Sequence, residues 1–262
     1  MLRSLAFTPP FSKGETNKIA KYMPSVKDIK RRIKSTKNTG KITRAMEMVS
    51  AAKMRKAIAS VLQIRPYAHS AWGILTNLAR AFSQYQQGLL EVREVKSILA
   101  ILVTSNRGLC GSFNSQIYKK LKDELTNPKN LKTNRAGEEK IESSIPDEKL
   151  IIDFITVGRK GENMVKKMKK TIVAAYPESM FVPRMIDARD IAKMAMDEYA
   201  AKKYDKVVIF YTDFLSTIKQ TTKVRQILPI SKIDLEKQIA EMNNLKKEYG
   251  VEEPATEYKV EP

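Results

Sequence analysis

The sequence predicts an α/β protein: a long N-terminal coiled-coil helix followed by a small α/β domain with a largely parallel sheet. Three observations carry this. A three-four spacing of apolar and small residues runs from Val26 to Phe82. Two continuous apolar runs, SILAILVTS (Ser97 to Ser105) and LIIDFITVG (Leu150 to Gly158), are bounded by turn formers. Between Ser97 and Pro229, strand-like and helix-like segments alternate, which is how parallel strands joined by crossover helices are written in sequence.

Composition narrows the function classes. The chain has 262 residues and an ordinary hydrophobic fraction of 42%, enough for a sizeable core. Its charge is not ordinary: 48 basic against 29 acidic residues give +19, which argues for a polyanionic partner. A single cysteine, Cys110, excludes an internal disulfide and fits a reducing compartment. A single histidine, His69, argues against a histidine-based metal site or a Ser-His-Asp triad. No apolar run approaches the roughly 18 residues of a membrane-spanning helix.

The first element is the helix. Ser25 with Asp28 three residues later reads as a capping box, the acid also lying at the positive end of the helix dipole. The seam then runs Val26, Ile29, Ile33, Thr36, Gly40, Thr43, Glu47, Ser50, Met54, Ala57, Val61, Ile64, Ala68, Ala71, Leu75, Leu78, Phe82. This is the a/d pattern of a coiled coil. Pro66 removes one backbone donor and is expected to bend the helix. Between Met23 and Arg65 lie twelve Lys/Arg and two Asp/Glu, so much of the net charge belongs to this segment. The seam from Thr36 to Ser50 is small or polar where a zipper would place Leu or Ile. Such a helix cannot be stable alone, because packing rather than propensity stabilises most protein helices. A solvated amphipathic helix is the plain reading; the sharper one is a slim, stiff rod whose surface is touched by something acidic.

The α/β elements follow in order. Ser97 to Ser105 reads as a strand buried on both faces, NRGLCGSFN as a turn, and Ser115 to Glu124 as a short helix. Leu150 to Gly158 is a second buried strand, followed by the basic helix KGENMVKKMKK. TIVAAY is a third strand, Asp187 a cap for ARDIAKMAMDEYAAKKY, KVVIFY (Lys206 to Tyr211) a fourth strand, and TTKVRQILPI a fifth that leaves the domain at Pro229. Together they make a Rossmann-like domain over residues 97–229. Residues 126–149 have no strong period and many turn formers, and read as a mobile loop.

NRGLCGSFN lies after a strand and before a helix, where open α/β sheets bind ligands. It lacks the Gly-Lys-Ser/Thr of a P-loop and the full dinucleotide fingerprint. Cys110 has no nucleophile-elbow spacing and no local base. Gly108 and Gly111 are therefore read as shaping a tight turn, with Cys110 packing as a small hydrophobe. GRKG, Gly158 to Gly161, is a weaker candidate for an anion at a helix start. Neither a catalytic residue, a cofactor nor a metal ligand is expected, nor direct nucleotide binding.

MPSVKDIKRRIKSTKNTGKITRAMEMVSAAKMRKA (Met23 to Ala57) closely resembles the N-terminal helix of ATP synthase gamma subunits. ILVTSNRGLCGSFN (Ile101 to Asn114) resembles that family's second hallmark, where an aspartate is usual at the position of Asn106, and YTDFLSTIKQ (Tyr211 to Gln220) a third, weaker segment. The resemblance extends in order from Met23 to Pro262. It implies a non-catalytic subunit: the central rotor shaft of a proton-translocating F-type ATPase, coupling ion flow to conformational change at the catalytic beta subunits. By position in the motif, Lys41, Arg44, Met46, Glu47, Lys53 and Arg55 are implied at the bearing against the beta subunits. The implied partners are the alpha and beta subunits, the epsilon subunit and the membrane c-ring. The implied place is peripheral, on the cytoplasmic side of a bacterial plasma membrane, with the mitochondrial inner membrane as the lesser alternative. Such a shaft would be slim, non-sticking and basic outside, which accounts for the composition of residues 23–90.

Two segments depart from the family. Residues 1–22 precede its usual start and read as a disordered extension or an overcalled start. Residues 230–262 are polar and charged, with one short helix expected around Leu235 to Glu248, and lead toward a second long helix that the chain does not carry. The rival reading is a basic nucleic-acid-binding helical protein. It suits the charge but lacks an aromatic stacking platform, only 7% of residues being aromatic, and any reading motif.

Overall fold

The computed structural model describes residues 25–81, 88–136, 139–176, 185–217 and 219–230. The expectations for residues 1–22, for Phe82 and for the helix around Leu235 to Glu248 lie outside these residues. The chain divides into two compact units, Met1–Ala59 and Ser60–Pro262, with the boundary inside the first helix.

That helix, α1, spans Val26–Ala81 in 56 residues, about 84 Å at 1.5 Å per residue. In the first unit the capping box forms reciprocally. The Ser25 amide donates to Asp28 Oδ2 at 3.2 Å, and the Asp28 amide donates to Ser25 Oγ at 3.2 Å. Two orphan donors at the helix start are thereby satisfied. Seam residues Val26, Ile29 and Ile33 are exposed by 70%, 46% and 51%. In the second unit the helix runs on through Pro66, whose carbonyl accepts from Ser70 Oγ at 3.2 Å.

The second unit holds β1 (Ser97–Val103), α2 (Phe113–Thr126), α3 (Lys129–Lys132), β2 (Thr133–Ala136), β3 (Glu139–Glu142), β4 (Ile151–Val157), α4 (Arg159–Lys167), β5 (Ile172–Tyr176), α5 (Met185–Ala200), β6 (Lys206–Phe214) and β7 (Gln220–Leu228). The five-stranded sheet has the order β5-β4-β1-β6-β7. β1 lies between β4 and β6 and pairs parallel with both, β4 pairs parallel with β5, and only β7 is antiparallel. The apolar runs of β1 and β4 are explained by cover on both faces. Ile98, Ala100, Leu102, Ile152, Phe154, Val208 and Phe210 pack with Ile117 and Leu121 of α2 and Val165 of α4. Leu99, Ile101, Ile155 and Val207 pack with Ala195 and Tyr199 of α5. The chain steps outward from β1 through β4 to β5, then returns to β6 on the other side of β1. Right-handed crossovers put the returning helix on the opposite face. The direction reverses between β1 and β6, and the NRGLCGSFN turn lies at that switch point.

Residues 126–149 are not the structureless loop read from sequence. They hold α3, the β2–β3 hairpin and a 3-10 turn at Asp147–Lys149. The reason the segment showed no apolar period is that polar groups fasten it. The buried Lys206 ammonium donates to the carbonyls of Asn130 (2.8 Å) and Thr133 (2.6 Å). Asn134 Nδ2 donates to the Arg93 carbonyl at 2.8 Å, and Ser143 Oγ to the Val95 carbonyl at 2.8 Å. Lys132 Nζ reaches the Ile145 carbonyl and Asp147. Leu131 is the one apolar anchor of α3.

Asp187 is likewise not a cap: it lies inside the first turn of α5, Met185–Ala200. Its carboxylate still sits at the positive end of the dipole.

Candidate functional site

Two places compete for function: the turn at the switch point and the basic stretch of α1. At the turn, backbone and side chains are spent on one another. The Ser105 amide donates to Asn114 Oδ1 at 3.2 Å, Asn114 Nδ2 donates to Ser105 Oγ at 2.8 Å, and Ser105 Oγ donates to the Arg107 carbonyl at 2.6 Å. Asn114 Nδ2 also reaches Cys110 Sγ at 3.0 Å. Cys110 is thus half-buried among polar atoms, not packed as a small hydrophobe. No base touches it. The left-handed residues of the turn are Leu109 (φ 62°) and Gly111 (φ 56°). Gly111 therefore answers to the turn geometry, while a Cβ at Gly108 would meet nothing within 4 Å and Gly108 has no positive φ.

The GRKG segment is excluded as an anion cradle, because its amides are occupied. Gly158 N donates to the Tyr176 carbonyl, Arg159 N to Asn106 Oδ1 (3.0 Å), Lys160 N to the Ser105 carbonyl (3.0 Å), and Gly161 N to Thr104 Oγ1 (2.7 Å). An anion at a helix start needs such donors free. The two glycines have a different purpose. A Cβ on Gly158 would lie 2.2 Å from the Thr104 carbonyl oxygen, and one on Gly161 2.8 Å from Thr104 Oγ1. They let the end of β1 and the start of α4 touch backbone to backbone. Thr104, Asn106 and Asn114, which organise this junction, carry no sequence signal beyond the Asn106 departure already noted. Among the described residues no group of three His, Cys, Asp or Glu could hold a metal ion.

At the opposite end of the sheet a second polar knot escaped the sequence reading. Asp205 Oδ2 accepts from the amides of Lys96 and Ser97, each at 3.0 Å. The Arg93 guanidinium lies 4.4 Å from the Tyr199 ring centroid and donates to the Tyr199 carbonyl at 3.0 Å, and Tyr199 OH donates to the Glu91 carbonyl. Burial pushes the Tyr199 phenol up to about 12. These contacts fix the entry to β1 and have no open face for chemistry.

The implied bearing residues all lie on α1, and Lys41, Arg44, Met46, Glu47, Lys53 and Arg55 are all exposed. At about 100° per residue, Lys41, Arg44 and Arg55 share an arc of about 60°, while Met46 and Lys53 share one of about 20° elsewhere on the helix. The seam through Gly40, Thr43, Glu47, Ser50 and Met54 falls between the two groups. Glu47 belongs to the seam itself, and the cations flank it on both sides. None of Lys41, Arg44, Lys53 and Arg55 makes an ion pair among the described residues.

The family described as ATP synthase matches residues 25–262. An ATP synthase gamma chain of Heliobacterium modesticaldum is 36% identical over 208 residues, covering 79% of this chain and 64% of the relative. One of Legionella pneumophila (strain Corby) is 32% identical over 215 residues, covering 82% and 69%. The chain thus spans about two thirds of the length of these relatives. Among solved structures, a chain from the central stalk and c-ring structure of the Tetrahymena thermophila mitochondrial ATP synthase aligns with a TM-score of 0.53 at 19% identity. That alignment covers 79% of this chain and 99% of the other, a likeness of fold. A family match over residues 25–262, with gamma-chain relatives of 36% and 32% identity, establishes the affiliation: the chain belongs to the ATP synthase family, among its gamma chains.

Proposed function

We propose that the chain is the central shaft subunit of an F-type rotary ATP synthase, performing no bond chemistry itself and carrying rotation between ion flow and the catalytic beta subunits. The observation that supports this is α1. It is a 56-residue helix whose seam is small and polar at its middle and whose unpaired cations flank that seam on both sides. A second helix laid on the seam would leave both cationic flanks facing outward, toward a surrounding collar of alpha and beta subunits. Small seam residues keep such a pair slim, and few large anchors in the middle of the seam let it turn. Lys41, Arg44, Met46, Glu47, Lys53 and Arg55 are the proposed bearing, with acidic loops of the beta subunits opposite. The asymmetric shaft then biases each beta site toward a different conformation, a population shift driven mechanically. The α/β unit is the proposed foot, contacting the epsilon subunit and the c-ring, and the complex lies peripherally on the cytoplasmic side of a bacterial plasma membrane. No helix among the described residues is long and apolar enough to cross a membrane.

The test is charge reversal within a complete enzyme. Arg44→Glu with Lys53→Glu reverses one cation on each flank and juxtaposes like charges with acidic loops, which costs several kcal/mol at an interface, by a rough general figure. ATP hydrolysis should persist while ATP-driven proton pumping is lost. Pumping unchanged by the double substitution sinks the bearing assignment. Sequence-selective DNA binding that survives physiological salt would favour the nucleic-acid reading instead.

A further inference from the structure

We propose that α4 and the turn after it, Arg159 to Lys170, form an electrostatic docking face for an anionic bilayer surface. This face belongs to the α/β unit and not to the shaft, and it does not depend on the bearing.

The segment carries six cations, Arg159, Lys160, Lys166, Lys167, Lys169 and Lys170, against one acid, Glu162. All six are exposed, while Gly161 and Val165 are buried against the sheet. Lys166 pairs with Glu162 at 2.6 Å. The other five make no ion pair among the described residues. Helix electrostatics explain only part of this. Lys166 and Lys167 sit in the last turn, where the dipole favours cations, but Arg159 and Lys160 sit at its positive end, where the dipole opposes them. The dipole thus accounts for Lys166 and Lys167 but not for Arg159 and Lys160. The backbone holds the last two in place: Lys169 N donates to the Lys166 carbonyl, and Lys170 N to the Val165 carbonyl.

The charge is one-sided. α5, on the other face of the sheet, carries Asp187, Asp190, Asp197 and Glu198 against Arg189 and Lys193. On opposite faces of the sheet, α4 is thus net basic and α5 net acidic.

The chemistry of the face selects its occupant. Protein interfaces carry an apolar, charge-depleted centre. No large apolar side chain is exposed from Arg159 to Lys170, where Met164 and Met168 are half-buried. Five of the six cations are lysines, strongly hydrated point charges without the bidentate fork that reads a particular carboxylate. A hydrated, lysine-rich face with no apolar seat fits lipid headgroup charge, which attracts surface lysines without insertion.

The experiment uses the full chain with Cys110→Ser and one new cysteine carrying an environment-sensitive fluorophore, at Asn163 on α4 or at Ala192 on α5, both exposed. Vesicles of phosphatidylcholine with phosphatidylglycerol carry a headgroup quencher. Quenching is expected at position 163 and not at 192, and absent with phosphatidylcholine alone. K160Q/K167Q/K169Q/K170Q should weaken it by at least about tenfold. K27Q/K30Q/K34Q/K37Q, the same charge removed from α1, should leave the signal at 163 within about twofold on the same basis. Circular dichroism of both variants shows that they fold. Equal quenching at 163 and 192, or equal loss in the two quadruple variants, overturns the proposal by showing polycation adsorption. Capture of soluble polyglutamate at 163 without any response to vesicles overturns it in favour of an acidic protein.

Discussion

Gly158→Ala tests the junction on which the α/β unit turns. Gly158 has φ 90° and ψ 139°, a region closed to side chains, which costs about 1–3 kcal/mol for any other residue. The added Cβ would also lie 2.2 Å from the Thr104 carbonyl oxygen and 2.8 Å from its carbon. Both are backbone atoms, so no rotamer change relieves the overlap. The end of β1 and the start of α4 must separate by about 1 Å, at an overpacking cost of about 1–3 kcal/mol. The sum, about 2–6 kcal/mol, is a large share of the 5–15 kcal/mol or so by which a domain is stable. Urea unfolding of the full chain, followed by circular dichroism, should show the midpoint falling by about 2 M at an m-value of about 2 kcal/mol/M. Two internal controls separate causes. Gly111→Ala meets nothing within 4 Å but has φ 56°, and should cost about 1 kcal/mol from backbone strain alone. Gly108→Ala meets nothing and has no positive φ, so it should change stability by no more than about 0.5 kcal/mol. A Gly158→Ala midpoint no lower than that of Gly111→Ala would refute the close approach of β1 and α4.

Asn106→Ala removes the side-chain acceptor of the Arg159 amide and should cost about 1 kcal/mol. Asn106→Asp keeps the acceptor and adds a negative charge at the α4 start, so it should gain about 0.3–1 kcal/mol; urea midpoints in the reverse order would contradict the capping role. Burial pushes the Tyr199 phenol up to about 12, and burial with the hydrogen bond to Asp153 pushes Tyr204 upward too. Both are raised above the unfolded value near 10, so their contribution is full below about pH 10 and is lost as pH rises through about 12. Thermal melts from pH 9 to 12 should show Tm dropping across that window, less steeply for Tyr199→Phe; identical slopes would remove Tyr199 as a cause. Amide exchange in the isolated chain should be fast through Ile33 to Ala57, where the seam is small and polar, and should slow when a C-terminal gamma helix peptide is added. Strong protection there in a monomer would mean that α1 is stabilised without a partner helix.

The fold was legible wherever apolar period was strong. β1, β4 and the first half of β6 announced themselves because burial on both faces leaves mostly apolar residues along the strand. The Ser25–Asp28 box was legible because capping is local, set by side chains three residues apart. Residues 126–149 were not legible, because what holds α3 and the hairpin is a set of long-range polar bonds. Lys206 reaches Asn130 and Thr133 from more than 70 positions away. An isolated window of sequence carries no trace of such a partner.

The sequence by itself determined the long capped helix, its basic flanks, its weak seam and the alternation of buried strands with helices, since each follows from spacing, charge and propensity along neighbouring residues. Only the tertiary structure decided the order β5-β4-β1-β6-β7, the antiparallel edge, and the closure of the glycine turn. It also showed that the GRKG amides are already engaged: they end on Asn106, Ser105, Thr104 and Tyr176, groups distant in sequence that the sheet brings to one corner. Backbone donors look free in any sequence. Whether they remain free depends on what the fold carries to within 3 Å of them, and that distance is set by packing alone.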